Sequence, residues 1–301
     1  MEKIQHQQID SEFTNNITPI DEAWNQEYHL AETLKEDNIW RDDIRSHFEG
    51  LPKNVFDIWR YGVSEMLNNA IDHSEGTTLK VWIAKNIVQR SVFIQDNGIG
   101  IFNKIQQAFN LHYKNEAILE LSKGKLTTDS KRHSGEGIFF TSRSFDKFAI
   151  MSGPDRFVHS KGYGQSFIFG SDYIQKKIDG TVVFLCLDNN CTQTMNEVFD
   201  IYTTSAEDGV RFDKTIVPVR LAQFGDETLI ARSQAKRLVM RFEHFRSVIL
   251  DFADVPEIGQ AFADEVFRVF QNAHPQVEIV AINTNIQVQK MITRAKTHDS
   301  I

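Results

Sequence analysis

The stretch from Ser64 to Ser74 constrains the fold more than any other part of the sequence. Its apolar residues continue a helical spacing that begins upstream, and together they form one face: Val55, Ile58, Trp59, Val63, Met66, Leu67, Ala70 and Ile71. Glu65, Asn69 and His73 are spaced four apart, so they form a line along the same helix. The sequence therefore predicts a half-buried helix with a carboxylate, an amide oxygen and an imidazole at its margin.

Two glycine motifs lie further along the chain. Asp96-Asn-Gly98-Ile-Gly100 directly follows the β-prone run Ser91–Gln95, and Gly135-Glu136-Gly137 follows a polar segment. Each motif alone is a common turn after a strand or before a helix. The plain alternative is a domain with an amphipathic helix and two glycine turns, in which Asp96 caps its own turn.

In this order, the three motifs resemble the GHKL ATP-binding domain shared by DNA gyrase, MutL, histidine kinases and anti-sigma-factor serine kinases. The anti-sigma-factor kinases are the most similar in size and in the helix motif. The resemblance implies a Bergerat-type α/β sandwich that binds ATP and Mg²⁺. It assigns Glu65 as the catalytic base and Asn69 as the magnesium ligand.

On the adenine side, the resemblance makes Asp96 the acceptor for the adenine amino group, which selects adenine over guanine. Gly98 and Gly100 are expected to let the backbone pass close to the base with positive φ. Thr181, which follows Gly180 at the start of a predicted strand, matches the late Gly-Thr of the family.

On the phosphate side, Gly135, Glu136 and Gly137 open a predicted helix, whose free N–H groups suit phosphate. The segment Ser122–Ser134 is polar, basic and without periodicity, and it is expected to be a mobile loop that closes over a triphosphate. Lys123, Lys125 and His133 belong to this basic run. His73 either approaches the phosphates or caps the turn that follows its helix.

The rest of the sequence predicts an α/β protein in three parts. Residues 1–50 form an arm with helical segments between Glu22 and Phe48. Residues 51–205 form the ATP-binding domain, with one helix over Asn103–Leu121, and residues 210–301 form a small α/β domain. In the last part, Ser247–Phe270 resembles the STAS domain of anti-sigma-factor antagonists and sulfate transporters. Those antagonists carry a phosphoacceptor serine where this chain reads Pro256–Ala263, which has no hydroxyl. The second domain is therefore not expected to accept phosphate.

Composition narrows the function classes. The chain has 41% apolar residues, no long apolar run and no hydrophobic signal core, so we expect a soluble cytoplasmic protein without a membrane segment. The net charge is −8, and the first 54 residues hold 12 acidic against 5 basic side chains. Nucleic-acid binding is therefore not expected. Two cysteines form neither a zinc site nor a disulfide scaffold.

The leading hypothesis is an ATP- and magnesium-dependent signalling ATPase or serine/threonine-kinase-like regulator, in which loop closure controls a protein partner. Hydrolysis and transfer to a protein hydroxyl stay open. Residues ahead of the ATP site pair subunits in related proteins, so a homodimer and a plain packing role are both open for residues 1–50. The alternatives are a non-catalytic nucleotide-binding interaction module and a transcription regulator.

Overall fold

The computed structural model describes residues 21–126, 135–161, 165–169, 178–206, 209–223 and 227–297, and it shows a mixed α/β protein. The strands are β1 Glu22–His29, β2 Thr78–Lys85, β3 Gln89–Asp96, β4 Lys147–Gly153, β5 Asp155–Ser160, β6 Gln165–Phe169, β7 Ile178–Asp188, β8 Thr203–Ala206, β9 Gly209–Phe212, β10 Lys214–Pro218, β11 Ser247–Asp251 and β12 Glu278–Ile282. The helices are α1 Glu36–Ile39, α2 Lys53–His73, α3 Ile101–Ala108, α4 Lys114–Lys123, α5 Gly137–Ser144, α6 Met195–Tyr202, α7 Arg232–Val239, α8 Gln260–Asp264 and α9 Ile286–Thr297. Helix α1 continues through a π turn (Trp40–Ile44) and a 3₁₀ turn (Arg45–Phe48), and α8 continues through a π turn (Glu265–Phe270) and Gln271–Ala273.

The first seven strands form one antiparallel sheet in the order β1-β2-β3-β7-β4-β5-β6. Side chains of β2 and β3 alternate between buried and partly exposed, as expected where one face of a sheet is covered. The covered face meets helix α2, whose predicted apolar stripe is buried from Val55 to Ala70. Helix α2 and the covered face of the sheet thus form a two-layer core.

The predicted helical character of Glu22–Phe48 is wrong for its first third. Residues Glu22–His29 form strand β1, which pairs antiparallel with β2, and only the segment from Glu36 is helical. Trp24 and Tyr28 are partly buried on one side of this strand. Their spacing of four residues fits both the helical period and two repeats of the strand period, so the sequence pattern did not separate the two.

The single helix predicted over Asn103–Leu121 is two helices, α3 and α4. Asn110 has a φ of +50°, a left-handed conformation that ends α3, and the chain re-enters a helix at Lys114. The break changes where the side chains of α4 point. Its last residue, Lys123, is thereby directed toward the second domain.

The C-terminal part contains a parallel sheet in the order β10-β11-β12, with α7 and α8 as the crossovers and α9 after the last strand. The alternation of strands and helices predicted from Val210 is confirmed. The segment before it, predicted only as a connection, folds into α6 and the hairpin β8–β9. No helix within the described ranges has the length and hydropathy of a membrane span.

The two sheets share apolar contacts through α5 and β9. Phe139 and Phe140 of α5 are both buried, and their rings lie 4.6 and 4.9 Å from the ring of Phe212 in β9. Phe212 in turn contacts Phe245, ahead of β11. The second domain is thus packed directly on the helix that follows the Gly135–Gly137 motif.

Candidate functional site

A cavity of about 360 Å³ lies between α2, the sheet and α5, a size typical of small-molecule sites. Residues from all three sequence motifs line it: Glu65, Asn69 and His73 from the first, Asp96 and Gly100 from the second, and Gly135 and Gly137 from the third. Thr181 lines it as well. Apolar side chains complete the lining, among them Ile94, Ile101, Ile105, Ile138, Ile150 and Val183.

Helix α2 contributes the predicted line of polar groups. Glu65, Asn69 and His73 occupy successive turns on the side that meets the cavity. The Asn69 side-chain nitrogen is buried and has no hydrogen-bond partner among the described residues. A buried amide of this kind is expected to have a partner, so the cavity wall carries a polar group suited to a bound ligand.

Asp96 ends β3 and is 5% exposed. Its Oδ1 accepts hydrogen bonds from the backbone N–H of Gly98 (2.8 Å) and of Thr181 (3.3 Å). Burial raises the pKa of Asp96, and these hydrogen bonds lower it in part. The Thr181 hydroxyl accepts from the N–H of Ile101 at 3.0 Å, which ties the start of α3 to β7.

The glycines of the motifs bring separate segments into contact. A side chain at Gly137 would overlap the carboxylate of Glu65, so the first turn of α5 packs directly on that group. A side chain at Gly98 would overlap the backbone carbonyl of Ser74, which accepts from Ile99 N–H at 3.0 Å. Gly98 is required for this close approach and not for a positive φ, which is a correction to the sequence prediction.

Gly100 does adopt the predicted positive φ, at +85°. Gly135 has a φ of +72°, and its carbonyl accepts from the N–H of Leu126 at 3.2 Å. Glu136 precedes α5 without lining the cavity. Burial raises the pKa of the partly buried Tyr61 phenol, and the carboxylates of Glu65 and Glu136 raise it further. His133 and most of the predicted loop, residues 127–134, lie outside the described residues.

The structure places two predicted loop lysines away from the cavity. Lys125 donates to the carbonyl of His244 at 2.8 Å, and its amine lies 4.9 Å from the ring centre of Phe245. Lys123 ends α4, is fully buried and donates to Glu120 at 2.5 Å. Both amines contact carbonyls of the second domain, and neither lysine lines the cavity.

Lys104 is the basic residue that the sequence interpretation missed. It lies on α3 one turn after Gly100, and it lines the cavity. Its amine donates to the carbonyl of His73 at 2.7 Å and to Glu75 at 2.9 Å. The sequence could have indicated this role, because Lys104 lies on the same helix as Ile101 and Ile105, whose spacing of four residues marks the buried side of α3.

Within the described ranges, no three His, Cys, Asp or Glu side chains cluster as ligands for a metal ion. This arrangement is compatible with Mg²⁺, which keeps several waters and commonly uses one or two protein oxygens together with substrate phosphates. Asn69, which lines the cavity, carries an amide oxygen of this type. Asn68 also lines the cavity, from the neighbouring position on α2.

Comparison with protein families matches residues 234–289 to a STAS-like domain of unknown function (DUF4325). The matched residues run from α7 into α9 and include β11 and β12 of the parallel sheet. The C-terminal part of the chain is thus similar to a STAS-like domain, as the sequence resemblance predicted. No curated protein matches the chain.

Proposed function

We propose that the cavity binds ATP with Mg²⁺, and that the first domain is a GHKL-type ATP-binding domain with a Bergerat-type fold. The observation that carries the proposal is the arrangement of Glu65, Asn69, Asp96 and Gly137 around one hollow. These residues lie far apart in the sequence, and an amphipathic helix with two unrelated glycine turns has no reason to bring them together.

The cavity residues fit an adenine nucleotide. Asp96 is held in place by two backbone N–H groups and offers a carboxylate to the adenine amino group. The isoleucine walls match the faces of the base. Asn69 would hold Mg²⁺ through its amide oxygen, and Thr181 and Gly100 border the adenine end.

Glu65 is proposed as the general base. ATP with Mg²⁺ supplies an activated phosphoryl group when bound. The Glu65 carboxylate accepts a proton from water or from a protein hydroxyl, which are the two acceptors that the sequence left open. Its packing on Gly137 holds the carboxylate at the start of α5, beside the backbone proposed to meet phosphate.

The second domain is proposed to take part in regulation. Leu126 lines the cavity, and Arg241 of the second domain donates to the carbonyls of the two preceding residues, Gly124 and Lys125. Phe139 lines the cavity and packs on Phe212. A ligand that moves the cavity wall therefore acts on groups that the STAS-like domain holds, and through it on a protein partner.

Thermal unfolding with ATP, ADP and GTP, each with and without Mg²⁺, tests the proposal. Binding to the native state raises the midpoint by mass action, so ATP and ADP should raise it more than GTP, and Mg²⁺ should strengthen the effect of ATP. Absence of any shift with adenine nucleotides would refute the proposed site. Labelled ATP then separates the activities: free phosphate indicates hydrolysis, and a labelled polypeptide indicates kinase activity.

A further inference from the structure

The cavity carries little positive charge for a ligand rich in phosphate. Lys104 is the one lysine or arginine among the described residues that line it, whereas Glu65 and Asp96 contribute carboxylates. Apart from Lys104 and His73, the described residues that line the cavity offer only acidic and neutral groups to the negative charges of several phosphates. This inference rests on the proposed function and concerns how the phosphates are recognised.

Lys104 is held by contacts that a stronger acceptor can replace. Its amine donates to the carbonyl of His73, in the last turn of α2, and to the carboxylate of Glu75. The Glu75 side chain is 61% exposed, so its ion pair with Lys104 is weak and screened by solvent. The carbonyl end of α2 attracts a cation only through the partial charges of the helix terminus.

The position of the amine also suits phosphate. It lies at the end of the helix on which Glu65, Asn69 and His73 form their line, and its own helix begins directly after Gly100. The lysine side chain is long and flexible, and its ammonium acts as a point charge that can change partners without moving the backbone. Of the three lysines at positions 104, 123 and 125, only Lys104 has its amine outside the contact with the second domain.

We propose that Lys104 is a phosphate-binding residue of this cavity, which exchanges Glu75 for the phosphate oxygens of ADP or ATP. It gives the site its preference for phosphorylated ligands over the free nucleoside. Charge-assisted hydrogen bonds of this type are stronger than those between neutral groups.

Isothermal titration of adenosine, ADP and ATP into four variants tests this role. Lys104→Met should weaken ADP and ATP by at least about tenfold, the loss expected for a charge-assisted hydrogen bond, and should change adenosine affinity by less than about twofold. Lys104→Arg should retain part of the preference for phosphate. Glu75→Gln removes the competing carboxylate, so ATP affinity should stay equal or rise. Lys53→Met, at an exposed lysine outside the cavity lining, is the control and should bind all three ligands like the unmodified protein.

Three results would overturn the inference. ADP and ATP affinities of Lys104→Met within about twofold of the unmodified protein would remove the phosphate contact. An equal loss for adenosine would make Lys104 a purely structural residue, as would a Glu75→Gln variant that weakens ATP as much as Lys104→Met. If the unmodified protein binds none of the three ligands, the proposed function itself fails; if it binds them and Lys104→Met does too, only the role of Lys104 fails.

Discussion

The buried ion pair at the end of α4 offers a quantitative test of how the two domains are held together. The Lys123 amine is fully buried and donates to Glu120 at 2.5 Å, to the Met240 carbonyl at 2.9 Å and to the Arg237 carbonyl at 3.1 Å. Lys123→Met keeps most of the length of the side chain and removes all three hydrogen bonds. Two of them join the first domain to the second.

The size of the effect follows from what the substitution leaves behind. Breaking a buried ion pair by removing one partner typically destabilises by about 3–5 kcal/mol, because the other charge stays buried. Glu120 keeps its second partner, Arg241, at 3.0 Å. Burial also lowers the pKa of Lys123, so its charged form carries a desolvation penalty that methionine does not. We therefore expect Lys123→Met to lower the free energy of unfolding by about 3 kcal/mol, the lower limit of this range.

Urea unfolding measures this loss. The protein has four tryptophans, at positions 24, 40, 59 and 82, so fluorescence reports on the first domain and far-ultraviolet circular dichroism on both. Lys53→Met is a matched control, because Lys53 makes the same kind of contact with Asp57, also at 2.5 Å, while exposed. In Lys123→Met the two signals should also separate, since the domains lose part of their connection.

If Lys123→Met lowers the free energy of unfolding as little as Lys53→Met does, the buried ion pair does not stabilise the contact between the domains. This result would mean that the buried contacts recover their hydrogen bonds from water or from each other. A second outcome is a large loss of unfolding free energy with fluorescence and dichroism transitions that still coincide. The buried ion pair would then stabilise the protein as expected, and the apolar contacts of Phe139 and Phe212 would suffice to keep unfolding cooperative.

Three further predictions address the site and its surroundings. Glu65→Gln should bind ATP normally and lower phosphate release or transfer by about 100-fold or more, the contribution of a general base, in a single-turnover assay. Asp96→Asn keeps an oxygen for Gly98 and Thr181 but loses the adenine acceptor, so its thermal shift with ATP should vanish. Because burial raises the pKa of Asp96, its ionised form costs stability above the ordinary pKa, and the unliganded variant should unfold at pH 7 at an equal or higher midpoint. Burial, followed by the charges of Arg143 and Lys161, lowers the pKa of His159 to about 3. Stability should therefore be complete above pH 6.5 and fall by up to about 1.4 kcal/mol per pH unit below it, and His159→Gln should flatten that fall in urea titrations at pH 7.5 and 5.

The main helices and strands were predictable because local pattern and tertiary environment agree there. Helix α2 buries its predicted stripe from Val55 to Ala70 and leaves only Ile71 partly exposed. Strands β2, β3 and β7 follow their alternating or continuous apolar runs. Strand β1 was missed because its residues are mostly exposed and its pairing with β2 is set by distant contacts. Cross-strand ion pairs of Glu22 with Lys85 and of Glu27 with Lys80 accompany that pairing. Because these partners lie far apart in the sequence, the spacing of residues within β1 does not indicate them.

The site was predictable for residues fixed by close approach and not for flexible side chains. Glu65, Asp96 and Gly137 line the cavity because the backbone around them allows few alternatives. Lysines have long side chains whose direction depends on neighbours far along the chain. Lys125 turns toward His244 because the second domain provides a carbonyl and aromatic rings there, whereas Lys104 meets the carbonyl end of α2.

The same contacts explain why basic residues near the glycine motif have separate roles. Arg241 has a φ of +66°, a strained conformation for a side chain of this size, and it is held by Glu120 and by the carbonyls of Gly124 and Lys125. Separating the domains would remove Arg241 from Glu120 and two carbonyl partners from Lys123, and would leave only the Glu120–Lys123 pair within α4. The second domain therefore fixes the segment from Lys123 to Lys125. Lys104, whose partners lie within the first domain, is left as the lysine that can bind an anionic ligand in the cavity.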